Sequence, residues 1–156
     1  MSKPDQWREI EAVYRTGYSG FVRVSVAITR DRESAHEAVQ DGFADALRSA
    51  EQWSGRGPLG AWVWRCVINR ARKARSRRRS FELRGLVEAS PGEASELLAR
   101  VAELPERQRL VVFLRYFADL DYREIAEALD IRVGTVSATL HAAHASLRSS
   151  LTEVSG

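Results

Sequence analysis

The stretch Tyr122–Leu140, YREIAEALDIRVGTVSATL, decides how this chain folds. Its first residues place Ile125 and Leu129 one helical turn apart on an inward face, and Ala126 is small enough for a second helix to approach closely. Asp130-Ile131-Arg132 then reads as a turn. Asp130 stands where the chain needs a left-handed residue, a conformation Asp tolerates better than most. Val136 and Leu140 return to the core from a second helix. An ordinary helical hairpin shares this spacing, but so does the helix-turn-helix that carries a DNA-reading helix. The second helix sharpens the question, because Val133 to Leu147 contains no Lys and no Arg. A helix in the major groove ordinarily meets phosphates with cations and base edges with Arg, Asn or Gln.

Working back toward the amino terminus, helical periodicity persists and strand signals are nearly absent. Leu110, Val111, Phe113, Leu114 and Phe117 form the expected buried stripe of a helix that Pro105 opens, preceded by the amphipathic SELLARVAEL. Ser80 to Ser95 reads as a linker, with Gly85, Pro91 and Gly92. In the first segment Trp7, Ile10, Tyr14, Tyr18, Phe21, Val24 and Ile28 recur three and four apart, one apolar face of a long helix that Gly17 and Gly20 weaken locally. Asp31 is the expected N-cap of a second helix, with Ala35, Val39, Phe43, Ala46 and Ala50 facing inward. Glu33, Glu37, Asp41 and Asp45 form an acidic stripe on its other side, which the residues alone leave as a solvated face or an interface. WSGRGPLG, Trp53 to Gly60, marks a loop, and Pro58 is placed to open a third helix.

Charge divides the chain. Residues 1–80 hold 16 Lys and Arg against 9 Asp and Glu, a balance of +7, and residues 81–156 hold 8 against 12, a balance of −4. The third helix ends in a run from Arg70 to Arg79 in which seven of ten residues are cationic, more than a solvated face requires since neighbouring like charges repel. A polyanion partner for the first half is implied, with a flexible basic tail as the alternative. The single cysteine, Cys66, excludes an internal disulfide and reads as a small core residue. No apolar run approaches a membrane span and no signal-peptide pattern opens the chain, so a soluble cytoplasmic protein without membrane insertion is expected. There is no Gly-rich phosphate loop, nucleophile motif or carboxylate pair suited to acid–base work, so no enzyme is expected. No cofactor is implied. His141 and His144, three apart, lack a third ligand for a metal.

The chain resembles the extracytoplasmic-function (ECF) sigma factors, the sigma-70 family subunits that start bacterial transcription. LPERQRLVVFLRYFADLDYREIAEALDIRVGTVSATLHAAHASL resembles their region 4, and YRTGYSGFVRVSVAITRDRESAHEAVQDGFADALRS their region 2 through the core-binding helix. AVQDGF stands for the family's Val-Gln-Glu-Thr-Phe, and GPLGAWVWRCVINRARKARSRRR is similar to the stretch that meets the promoter −10 element. The likeness is collinear over nearly the whole chain. It implies an all-α protein of two small helical domains: region 2 at 1–80, a linker at 81–95 and region 4 at 96–156.

The resemblance also implies partners: core RNA polymerase, and promoter DNA that is double-stranded at −35 and melted at −10. Glu37, Gln40, Asp41 and Phe43 then fall at the polymerase contact. Trp53, Arg56, Arg65, Asn69, Arg70, Arg72 and Lys73 fall at the −10 contact, where an extracted base costs a few kcal/mol and stacking on aromatics returns ~1–3 kcal/mol. Trp62 and Trp64, at helical spacing, read equally as core. Arg132, Thr135, Ser137, Thr139 and His141 remain for −35, and Ser137, Thr139, Ala142 and His144 stand where relatives usually carry cations. Three readings of that departure stay open: a small −35 contact tethered by polymerase, a region 4 that meets an anti-sigma factor or other protein partner, or a shape-based DNA contact. The rival functions are a sigma-fold interaction regulator that does not initiate and a free-standing helix-turn-helix repressor.

Overall fold

The computed structural model describes residues 2–53, 55, 58–77 and 93–155. Helix α1 (Lys3–Thr29) starts where the Ser2 hydroxyl accepts the Asp5 N–H and Pro4 sets the first turn, and it stops where Arg30 turns left-handed (φ 62°). It runs unbroken through Gly17 and Gly20. Asp31 caps α2 (Arg32–Arg48) as the spacing predicts, accepting the Ser34 N–H at 2.9 Å. A 3-10 turn at Ala50–Gln52 leads to the loop, and α3 spans Leu59–Arg77.

These three helices form a bundle around Phe21, which stacks on Trp64 (centroids 3.9 Å apart, planes 23°) and receives the edge of Phe43 at 4.8 Å. Such ring pairs add ~0.5–1.5 kcal/mol each beyond the area they bury. Ala35, Ala38, Gly42 and Ala46 give α2 a face of small residues against which α3 lies. At Gly42 the approach is closest: a Cβ there would sit 2.5 Å from Val67 Cα.

The inward face of α1 differs from its periodicity at the amino-terminal end. Ile10, Phe21, Val24 and Ile28 are buried, whereas Trp7 is 47% and Tyr14 36% exposed. α1 outruns the shorter helices beside it, so its first turns are covered by the end of α2 and the 3-10 turn: the Trp7 indole N–H donates to Leu47 O, Lys3 pairs with Glu51, and Tyr14 rests edge-on against Phe43.

In the second half α4 (Glu93–Glu103), α5 (Glu106–Tyr116), α6 (Tyr122–Leu129) and α7 (Val133–Ser155) follow one another. α5 buries Leu110 to Leu114, but Phe117, expected in its stripe, lies past the last helical turn and is 37% exposed, with the Arg23 guanidinium 5.6 Å above its ring. α6 opens with a capping box between Asp121 and Glu124. It ends at Asp130, left-handed with φ 55° and ψ 50°, and Val136, Leu140 and Ala143 of α7 return to the core as the spacing predicts. The core continues across both halves: α6 lies on α3, and α5 meets α1. A cavity of about 320 Å³ opens at this seam, walled by Thr16, Gly17, Gly20, Trp64, Phe117 and Leu120.

Candidate nucleic-acid and polymerase interfaces

On α3 the residues at i, i+4, i+7 and i+8 from Arg65 share a side. Asn69, Arg72 and Lys73 are exposed there, and Arg65 is partly so. Packing of Leu59, Val63, Val67, Ile68 and Ala71 behind them fixes the row in place. Arg70 is placed differently. Its Nε and Nη2 donate to Asp45 Oδ2 and Oδ1 at 2.5 and 2.8 Å, a two-point bond that braces α3 against α2. That bond, helped by Arg48, holds the Asp45 carboxyl below the usual Asp range. Asp45 therefore leaves the acidic stripe and joins the scaffold, and Arg70 is engaged within the protein.

Trp53 ends the 3-10 turn, half-buried against the core, and Trp62 lies half-buried on α3. Both bury their indole N–H, with no acceptor among the described residues. Trp64 is core, at 5% exposure. Gly55 takes the left-handed conformation (φ 78°) within the loop, and Arg56 lies outside the described residues. Cys66 is half-buried rather than fully core, and burial pushes its thiol up to about 11, with Asp45 adding to the effect.

On α2, Glu37, Gln40 and Asp41 stand exposed in a row, and Phe43, one turn on from Gln40, is turned into the core. Phe43 shapes this face from behind and does not reach its surface. Arg132, in the turn before α7, and Ser137 and His141 on α7 are exposed while Thr135 and Thr139 are half-buried; Ala138, Ala142 and Ala145 fill out the open face. His144 Nε2 is instead bonded to the Tyr116 hydroxyl at 2.8 Å. Among the described residues no group of three metal-ligating side chains forms, and no helix is long and apolar enough to cross a membrane.

The partners of two carboxylates escaped sequence reasoning. Glu106 bonds Arg75 and lies 3.5 Å from Arg72, and Asp130 lies 3.1 Å from Arg65. The opposite charge of the two halves was the signal that could have found them. Also unforeseen is Arg109, 1% exposed, whose Nη1 donates to the carbonyls of Ala102 and Leu104 at the end of α4. Burial, then the nearby Arg30, brings Arg109 down to about 10.

Comparison with known proteins fits this arrangement. Residues 13–81 match Sigma-70 region 2, and residues 94–147 match Sigma-70, region 4. The chain is 30% identical over 155 residues to the RNA polymerase sigma-E factor of Streptomyces antibioticus, covering 92% of this chain and 84% of that one. It is 24% identical over 160 residues to the RNA polymerase sigma factor YlaC of Bacillus subtilis strain 168, covering 92% of each. Its fold is similar to CnrH in complex with the cytosolic domain of CnrY (TM-score 0.75, 18% identity, 97% of this chain and 95% of that one). It is similar also to the sigma factor RpoE in complex with the anti-sigma factor NepR from Bartonella quintana (TM-score 0.70, 15% identity, 93% and 98%). Two helical units bearing regions 2 and 4 in this order define a sigma factor, a transcription initiation factor and not an enzyme. Within that class the chain belongs to the sigma-70 family, as a member of its ECF group.

Proposed function

We propose that this chain binds core RNA polymerase through the exposed face of α2 and holds a melted −10 element with residues 53–79. The helix-turn-helix, Tyr122 to Arg148, is then placed near −35. Region 2 spans 1–80, the linker 81–95 and region 4 96–156. One observation carries the reading: two helices locked at Gly42 and through Asp45–Arg70 offer an exposed acidic row and an exposed Asn/Arg/Lys row. Glu37, Gln40 and Asp41 suit a basic protein surface. Asn69, Arg72 and Lys73 suit phosphates and bases, with Arg65 beside them and Arg56 contributed by the loop. Trp53 and Trp62 supply half-buried rings next to that loop. Arg70 serves the site as the brace that orients α3. The absence of a membrane-crossing helix among the described residues fits work in the cytoplasm.

Run-off transcription with core polymerase on a promoter library tests this reading, and no start sites above core alone would overturn it. The open face of α7 favours a second role for region 4. Arg132 is its exposed cation at the amino end, and Ala138, Ala142 and Ala145 allow close packing by a protein such as an anti-sigma factor. Each phosphate contact contributes ~0.9 to the salt slope of duplex binding, so direct −35 reading here carries a shallow slope. If replacing residues 137–144 with Ala leaves −35 dependence intact, direct reading of −35 by that helix is wrong.

A further inference from the structure

Gly17 and Gly20 both weaken α1, and packing explains only one of them. A Cβ at Gly17 would stand 3.1 Å from Phe21 Cε2, tighter than an ordinary contact, so the Phe21 ring needs that glycine. A Cβ at Gly20 would meet nothing nearer than Phe117 O at 3.9 Å and Trp64 Cζ2 at 4.0 Å. Gly60, in the first turn of α3, is similar, with Val13 Cγ2 at 3.8 Å as the nearest atom. Alanine fits both positions, and a helix favours it over glycine. Gly20 and Gly60 therefore weaken their helices with no close neighbour to require it.

Both of them wall the cavity of about 320 Å³, and the atoms nearest to each missing Cβ belong to residues of the same wall. Phe21, Trp64 and Leu120 are buried at its floor, while Thr16 and Ser19 are exposed at its rim. Among the described residues no charged side chain lines it, in a chain that is 29% charged. An ion buried there would go uncompensated, so the cavity suits an uncharged guest. The rings of Trp64 and Phe117 suit a flat one, which they meet by edge or face. The Thr16 hydroxyl donates its proton to Ala12 O at 2.8 Å and so meets a guest as an acceptor. Phe117 O is a second acceptor on the wall beside Gly20. The volume is that of the smaller ligand pockets, which begin at ~300 Å³.

We propose that this cavity binds a small, uncharged aromatic molecule carrying an N–H or O–H donor, and that Gly20 and Gly60 keep it open. None of the residues in the exposed rows of α2 and α3 lines it, so the site is separate from the contacts assigned to those rows.

The probe is 5-fluoroindole, titrated with the full chain and followed by its fluorine NMR signal. Saturable binding is expected with a Kd on the order of 0.1 mM, ordinary for about ten heavy atoms. G20M and G60M each fill the cavity from a different helix, and each weakens binding about tenfold or more at unchanged helicity. G20A keeps the binding and raises the melting temperature by about 2–4 °C, the shift that alanine's helix preference gives in a chain of this size. Indole-3-acetate, an anionic counterpart, binds about tenfold more weakly or less. No saturable binding, or an unchanged Kd in both methionine variants, overturns the proposal. A G20A protein that melts below wild type also overturns it, since Gly20 would then serve packing alone. Equal affinity for the two indoles overturns the uncharged class of guest.

Discussion

Gly42→Ala places one methyl group where α2 and α3 touch. The added Cβ would lie 2.5 Å from Val67 Cα, 2.7 Å from its Cγ2 and 2.9 Å from its N. Two of those three atoms are backbone, so no rotamer change relieves the overlap and the helices must move apart. Overpacking of this kind costs ~1–3 kcal/mol, and a rigid backbone neighbour argues for the upper end. Against this, Ala is favoured over Gly in a helix interior by ~0.8–1.0 kcal/mol. The net expectation is destabilisation of ~2 kcal/mol, which at a urea slope of ~2 kcal/mol/M lowers the midpoint by ~1 M. G42A/V67A recovers less than half of the loss, because truncating Val67 removes Cγ2 and leaves its Cα and N in place. Urea denaturation followed by far-UV circular dichroism reads both values. A G42A protein as stable as wild type would mean that α2 and α3 do not meet this closely, and the rigid pairing of their exposed rows would lose its basis.

Three further outcomes follow from local chemistry. Asp45 has a folded pKa below its ordinary value of 3.8, so its bond to Arg70 stabilises fully above that value and is lost as pH falls through the lower folded one; the stability gap between wild type and D45N, measured by urea titration, should narrow below pH 3.8. Removing the capping box with D121A should cost ~1 kcal/mol and loosen α6, seen as faster amide exchange at Glu124 and Ile125. Cys66, with its thiol pushed up to about 11, should react with a disulfide reagent at pH 8 on the order of a hundredfold more slowly in the folded protein than in urea. Equal rates in the two states would refute its burial.

What the sequence disclosed was set by short-range chemistry. Asp31 was readable as a cap because its side chain serves an N–H three residues on, and Asp130 because a left-handed turn residue is a local requirement. The inward faces of α2, and of α7 from Val136 to Ala143, followed from periodicity, since each is covered there. Periodicity failed at Trp7, Tyr14 and Phe117, where apolar spacing continues past the point at which a neighbour ends. It could not assign Arg70 to Asp45 across 25 residues or Arg75 to Glu106 across 31, because an arginine in a basic run looks the same whether it meets a phosphate or a carboxylate. Arg109 was invisible for a related reason: a lone guanidinium in a polar first turn gives no sign that the end of α4 will enclose it. The exposed rows of α2 and α3 were legible as residues, and the locking of the two helices by Gly42 was not.

Asp130 combines two properties that substitution can separate. Glycine accepts the same left-handed backbone at no steric cost, so D130G would keep the turn while deleting the pair with Arg65. That pair is partly exposed and worth ~0–1 kcal/mol, so D130G should leave the fold in place and change its stability by no more than about that amount. Backbone shape thus narrows this position to a short menu of residues, glycine, asparagine and aspartate, and of these only aspartate sets an anion against α3.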